Sequence, residues 1–336
     1  MATFRLKSFS LLLTFFFATL PSGYAQKSTD FPSQPSSEQA SSEEKYSLPV
    51  AQSMEEYKAY NLLTELKKSE EITAASYKFL QDFSKSPLRF PVYQNLVTAH
   101  IKLSELDKAF EVGKKAITEY PDHLLVMTQL ASIASCQALT GNSQFAAEGS
   151  DYAAKAMKFL ESGTTPYGYK KQDWQKYRAS YLYDVSYHNG VFAYLSNKPE
   201  EAAGFFLQAL TIRTQDPYLF FLLAKVEVSL YEKGVANPLP IKQPETNRVV
   251  GEMSKAKTLF EQIVQTYAEA TVLAELLNQN GQYKPLQDSI SYDLQTLEKI
   301  MPTLKTEFMR CSDIVRQQTP DMVAKPPTVA NSTDRP

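Results

Sequence analysis

The chain has 336 residues, enough for one large domain or two with a sizeable buried core. Only 11 residues are glycine, against 20 tyrosines and 19 phenylalanines, which disfavours glycine-rich phosphate cradles and turn-dense β architectures and favours helices joined by short turns. Lys and Arg (35) nearly balance Asp and Glu (37) and form no basic block, so nucleic acid is not expected as a partner.

Residues 1–25 read as a signal peptide. Arg5 and Lys7 supply its positive start, and the apolar run from Leu11 to Leu20 is about half the length a membrane-spanning helix needs. Pro21 and Ser22 break that run, and Gly23 and Ala25 place small residues at −3 and −1 of a cut before Gln26. The leader has a bacterial form and no cysteine beside the cut, so the mature chain is expected in the periplasm or outside the cell, without a stable membrane span. Residues 26–50 follow as a disordered linker: Ser, Pro, Gln and Glu fill 16 of the 25 positions, too little apolar surface to offset the entropy of ordering.

From 51 to 317 the pattern is helical and recurs. Units start at Glu56, Phe90 and Leu124, each 34 residues after the last, and a second pair starts at Tyr183 and Pro217 with the same spacing. The unit 90–123 sets the template. Tyr93, Leu96 and Val97 share a face of its first helix, Ala109, Gly113 and Ala116 form the close-packing edge of its second, and Pro121 closes it. Ser104 is expected to cap that second helix, with Asp107 three residues on. Unit 56–89 matches at Leu62, Leu63, Ala75, Phe79 and Pro87, with Asp82 at a position where a small residue is expected. Unit 124 onward keeps Met127, Leu130, Ala131 and Ala134, its second helix displaced to about 146–161 by Thr140-Gly141-Asn142. An insertion at 162–182 leads into a longer helix carrying Trp174, Tyr177 and Tyr181.

Unit 183–216 offers Gly190, Ala202, Phe206 and Ala209, its second helix opening on Pro199 with Glu200 and Glu201 in the first turn. The last unit has Phe220, Leu223 and Ala224, an insertion at 234–251, then Ala256, Phe260 and Ile263. Past Ala268 the spacing predicts a short helix ending at Asn280-Gly281, then a longer one from Pro285 that Pro302 kinks or splits. This end reads as a capping element, and 318–336 as a disordered tail.

Over roughly residues 52–267 the period and its small-residue edges resemble the tetratricopeptide repeat family. The resemblance implies an all-α, right-handed solenoid of antiparallel helix pairs with a C-terminal capping helix, first helices lining a concave groove. Carried onto this sequence, the groove positions are Tyr57, Tyr60, Thr64, Lys67, Gln94, Thr98 and Lys102 in the early units, and Tyr187, Tyr194, Tyr218, Phe221 and Lys225 in the later ones. Each of these rings either faces the groove or packs against the next pair. The implied function is an exported, non-enzymatic scaffold or adaptor that binds a protein or peptide. The alternative, of another class, is a carrier whose groove aromatics grip a small molecule or glycan.

Reactive chemistry has little to build on. His100, His123 and His188 lack metal-ligand spacing and read as structural, and Cys136 and Cys311 are expected as buried free thiols. No nucleophile elbow, zinc-protease motif or Walker loop occurs, so no cofactor or metal is expected. The acidic pairs Glu55-Glu56, Glu70-Glu71 and Glu200-Glu201 fit helix starts better than acid–base catalysis.

Overall fold

The computed structural model describes residues 49–241, 248–278 and 281–318. The expected signal peptide, nearly all of the 26–50 linker and residues 319–336 of the tail lie outside them. Among the described residues the chain is all-helical, with thirteen helices and no strand. None of these helices is long and apolar enough to cross a membrane.

The chain divides into two compact units. Among the described residues, one comprises 49–138 and 142–185, the other 139–141 and everything from 186 onward. The first begins with α1 (Met54–Glu65) and α2 (Ser69–Asp82). Helix α1 starts where it does because Ser53 Oγ accepts the Glu56 N–H at 3.1 Å, while the Glu56 carboxylate accepts the Gln52 N–H at 2.8 Å. Glu56 is nonetheless buried, and the Ser86 hydroxyl donates to its other oxygen. There follow α3 (Arg89–Lys102), α4 (Leu106–Glu119), α5 (Leu124–Leu139), α6 (Ala146–Glu161) and α7 (Lys171–Leu195), the last running on into the second unit. The second unit continues with α8 (Pro199–Leu210), α9 (Pro217–Glu232), the short α10 (Arg248–Met253), α11 (Leu259–Leu276), α12 (Lys284–Leu297) and α13 (Leu304–Gln318).

Helices pack on their sequence neighbours: α1 on α2, α2 on α3 and α3 on α4 in the first unit, and α8 on α9 in the second. Farther along, α11 is central, with α9, α10, α12 and α13 all against it. The small-residue positions explain how the backbones approach so closely. A Cβ on Gly113 of α4 would stand 2.5 Å from Leu130 Cδ1 of α5, and one on Gly190 of α7 would stand 2.4 Å from Phe206 Cε1 of α8. Ala109 and Ala116, flanking Gly113, have no exposed surface. Lys114 Nζ meets Glu148 Oε1 at 2.9 Å, an ion pair between residues one 34-residue period apart.

Four expectations need correction. Ser104 does not cap α4. It sits at φ +59°, where the Glu105 N–H bonds back to the His100 carbonyl at 2.9 Å and closes α3 in a Schellman turn. Asn197, also at φ +59°, closes α7 the same way through Lys198 N–H to Ala193 O at 3.0 Å. Leu62 is 66% exposed, and the buried side of α1 runs through Leu63 instead, which packs with Phe79, Leu88 and Val92. The short helix expected past Ala268 is not a separate element, because α11 runs unbroken from Leu259 to Leu276 with Ala268 and Val272 on its buried side. Cys311 is half-buried rather than buried, although both cysteines are free thiols as expected. Of the two outcomes open for Pro302, a kink or a split, the structure shows the split, with Pro302 between α12 and α13.

Candidate functional site

Helix α9 carries Tyr218, Phe221 and Lys225 at spacings of three and four, which sets them along one side. Its start is firmly fixed: Asp216 Oδ1 accepts the N–H groups of Tyr218 at 2.9 Å and Leu219 at 3.3 Å, and Pro217 occupies the first turn. Helix α12 supplies Asp293 and α11 supplies Tyr267. Lys225 and Tyr267 both donate to a single oxygen: Asp293 Oδ2 accepts from Lys225 Nζ at 2.8 Å and from the Tyr267 hydroxyl at 3.2 Å. The Lys225 side chain keeps 19% of its exposure and Asp293 8%, so the pair lies at the edge of the core.

Rings frame this pair. Lys225 Nζ lies 6.0 Å from the Phe221 ring centroid, and Phe221 meets Tyr267 edge-on at 6.4 Å. Tyr218 leans against Tyr283, which precedes α12, with centroids 5.7 Å apart. Tyr194 of α7 is half-buried within reach of the Asp293 charge. Burial, and then the Asp293 and Glu232 charges, push the Tyr194 phenol up to about 12. Burial and the neighbouring Tyr283 and Asp216 do the same for Tyr218, again to about 12. Burial drives Tyr267 well above the ordinary phenol range, and the Asp293 carboxylate adds to this. These phenols stay neutral at physiological pH. The site offers hydroxyls, ring faces and one ion pair, which suits it to hold a ligand.

Of the expected groove residues, Tyr194, Tyr218 and Lys225 are partly exposed; Lys225 and Tyr194 meet the Asp293 charge, while Tyr218 lies two turns earlier on α9, against Tyr283. Tyr187 and Phe221 are only 1% exposed. Tyr187 packs near Phe206 and His188, so these two rings belong to the core and leave no area for a partner. The early set belongs to the first unit. Gln94, Thr98 and Lys102 follow one another four apart on α3, with Lys102 exposed and the other two half-buried. Thr98 donates to the Gln94 carbonyl and accepts from Gln129 Nε2 at 2.9 Å. Tyr60 packs against Phe79, and Thr64 turns back onto the Asn61 carbonyl.

The sequence reading missed Asp293, Tyr267 and Tyr283. A signal existed for the first: the buried positions of α12 are Leu286, Ile290, Asp293 and Leu297, so an acid occupies an apolar ladder. Helix α9 holds a second such acid. Glu227 is fully buried with no hydrogen-bond partner for either oxygen, and burial raises it to about 8. The Thr266 hydroxyl offsets a little of that shift, but it donates to the Gln262 carbonyl at 2.8 Å, so burial dominates.

The three histidines are all buried. His123 stacks on Phe90 with centroids 3.8 Å apart and donates from Nε2 to the Phe90 carbonyl at 3.0 Å, and burial pushes it down to about 4. Burial takes His188 down to about 3. The His100 ring bridges the Glu105 carboxylate at 2.7 Å and the Tyr77 hydroxyl at 3.0 Å. Among the described residues, no group of three or more His, Cys, Asp or Glu side chains is placed to hold a metal ion. No protein-family model matches this chain, and no curated protein does either.

Proposed function

We propose that this chain is an exported, tetratricopeptide-like scaffold or adaptor that binds a protein or peptide partner and performs no chemistry on it. In this reading residues 51–317 form a right-handed solenoid of antiparallel helix pairs, capped at the C-terminal end. The 34-residue spacing, the close approaches at Gly113 and Gly190, and the paired Schellman turns at Ser104 and Asn197 support the architecture.

One observation carries the binding role. Lys225, Asp293 and Tyr267 are joined at fixed distances, Tyr194 is partly exposed within reach of the Asp293 charge, and Tyr218 is partly exposed on the same side of α9 as Lys225. Side chains already held by neighbours lose little freedom on binding, and tyrosines bring large area at low entropy cost. A polypeptide fits such a surface: its side chains meet ring faces, and its backbone groups meet neutral hydroxyls.

The test uses Tyr218→p-benzoylphenylalanine in the full chain, irradiated in the cell envelope. A discrete polypeptide adduct is expected, and Tyr218→Ala should weaken capture of that polypeptide by about 2 kcal/mol, some thirtyfold. Adducts with glycan or small molecules alone would favour the carrier instead. No adduct from position 218 would remove this surface from the binding role.

A further inference from the structure

Tyr77 of α2, His100 of α3 and Glu105, just before α4, form a hydrogen-bonded chain within the first unit. The turn that closes α3 builds it. With Ser104 at φ +59°, the Glu105 N–H bonds the His100 carbonyl at 2.9 Å, and the Glu105 side chain comes back to the His100 ring. Glu105 Oε1 accepts from Lys108 Nζ at 2.8 Å, and Oε2 meets His100 Nδ1 at 2.7 Å. The Lys108 ammonium, and then His100, hold this carboxyl below the usual carboxylate range. A carboxylate only accepts, so Nδ1 is the donor and Nε2 is the nitrogen left to accept. The Tyr77 hydroxyl donates to Nε2 at 3.0 Å.

The imidazole is buried and the phenol is not: His100 is 1% exposed and Tyr77 44%. The charges felt at the Tyr77 hydroxyl belong to Glu111, Lys115, Lys108 and Glu105, all on side chains partly or fully exposed, which puts the hydroxyl at the surface. Burial, and then Glu111, raise this phenol above its ordinary value, while Lys115 and Lys108 pull the other way. It therefore keeps its proton at neutral pH and needs a base in order to attack. His100 Nε2 is a base within hydrogen-bond reach, oriented in turn by a carboxylate, which is the arrangement that activates a hydroxyl nucleophile.

We propose that Tyr77 is a covalent acceptor site, where the phenol, with His100 as general base, takes an acyl group from an activated ester. Tyr77 Oη bonds to the carbonyl carbon as its proton passes to His100 Nε2. The tetrahedral intermediate then expels the alcohol of the ester, which recovers the proton from Nε2, and Tyr77 is left as an aryl ester. No oxidation or reduction is involved. Glu105 is a positioning residue: it fixes the Nδ1 proton and steadies the ring while Nε2 is charged. The Lys115 and Lys108 charges favour the negative charge that builds up during attack.

The test treats the full chain with 4-nitrophenyl acetate and maps acetylated tyrosines by peptide mass spectrometry; hydroxylamine cleaves these esters and spares lysine amides. Exposure alone would favour Tyr292, which is 59% exposed. Tyr77 is instead expected to react at least about tenfold faster than Tyr292. Glu105→Gln keeps an acceptor for Nδ1 but removes the charge, and should slow Tyr77 about tenfold with Tyr292 unchanged. Nitrogen-15 spectra of histidine-labelled protein should show the Nδ1–H tautomer of His100 in the wild type and less of it in that variant. His100→Gln should erase the advantage of Tyr77; if this buried position is needed for folding, Glu105→Gln, at a partly exposed one, still decides. Tyr77 reacting no faster than Tyr292, an unchanged rate in Glu105→Gln, or an Nε2–H tautomer in the wild type would each overturn the proposal.

Discussion

Replacing Glu227 with glutamine probes the most unusual group in the second unit. The side chain is fully buried, its oxygens have no hydrogen-bond partner, and burial raises it to about 8 from the usual 4.5. Its folded pKa lies above the unfolded one, so the native protein keeps the proton after the unfolded chain has released it. Stability from this group is therefore intact below about pH 4.5 and is lost as pH rises towards 8. At 1.36 kcal/mol per pH unit, the loss reaches about 3 kcal/mol at pH 7 but stays under about 1 kcal/mol at pH 5. Glutamine has nearly the same shape and no proton to lose. Glu227→Gln should stabilise the protein by about 3 kcal/mol at pH 7, the advantage shrinking to under about 1 kcal/mol at pH 5. Urea unfolding followed by far-UV circular dichroism at pH 5, 6, 7 and 8 measures the difference. A gap between variant and wild type that does not change with pH would refute the reasoning, because the carboxyl would then not be held neutral. Fluorescence of the single tryptophan, Trp174 in the first unit, is a useful second probe: a shift seen only there would place the effect in the wrong unit.

Phe221→Ala should cost about 3–5 kcal/mol of stability, because the ring is buried, while Tyr218→Ala costs clearly less; equal losses in thermal melts would put both rings in the core. Gly190→Ala should destabilise by about 1–3 kcal/mol although alanine favours helix by about 1, since the new Cβ would collide with three atoms of the buried Phe206 ring. A melting temperature at or above wild type would show that α7 and α8 can separate without loss. His123 is held neutral by burial, its pKa about 4 against an unfolded 6.5, so its stability is complete above pH 6.5 and lost as pH falls towards 4. His123→Gln should accordingly gain about 2 kcal/mol relative to wild type between pH 7 and 4.5, and a constant difference in urea titrations would contradict this.

The helix pairs were readable because close packing constrains residue size at a few positions, and size is visible in a sequence. Gly113, Gly190, Ala109 and Ala116 all lie where helices nearly touch. The candidate site was readable only in part. Periodicity puts Tyr218, Phe221 and Lys225 on one side of a helix but cannot say how deeply a neighbour covers each, and Phe221 is covered almost completely. Asp293 was missed although it is an acid in an apolar ladder, and nothing local connects it to Lys225, 68 residues earlier. Ser104 was misread because a serine before a helix has two uses. The choice between capping the next helix and ending the previous one depends on backbone torsion, which composition does not reveal.

The left-handed turns also bear on where the chain tolerates added length. Ser104 and Asn197 lie in connections of three residues, between α3 and α4 and between α7 and α8. Gly141 and Gly234, also at positive φ, open the longer passages after α5 and α9, and there too the following N–H groups bond back into the helix, Asn142 to Gln137 O and Val235 to Leu230 O. Each of these helices is thus terminated by its own backbone, without help from what comes next. Extra residues inserted beyond such a stop leave the preceding helix undisturbed, and glycine reaches the required torsion without the strain a side chain would add. Evolution could lengthen the chain at Gly141 and Gly234 while the helices before them kept their register, and the same two points are the natural places to graft a foreign loop.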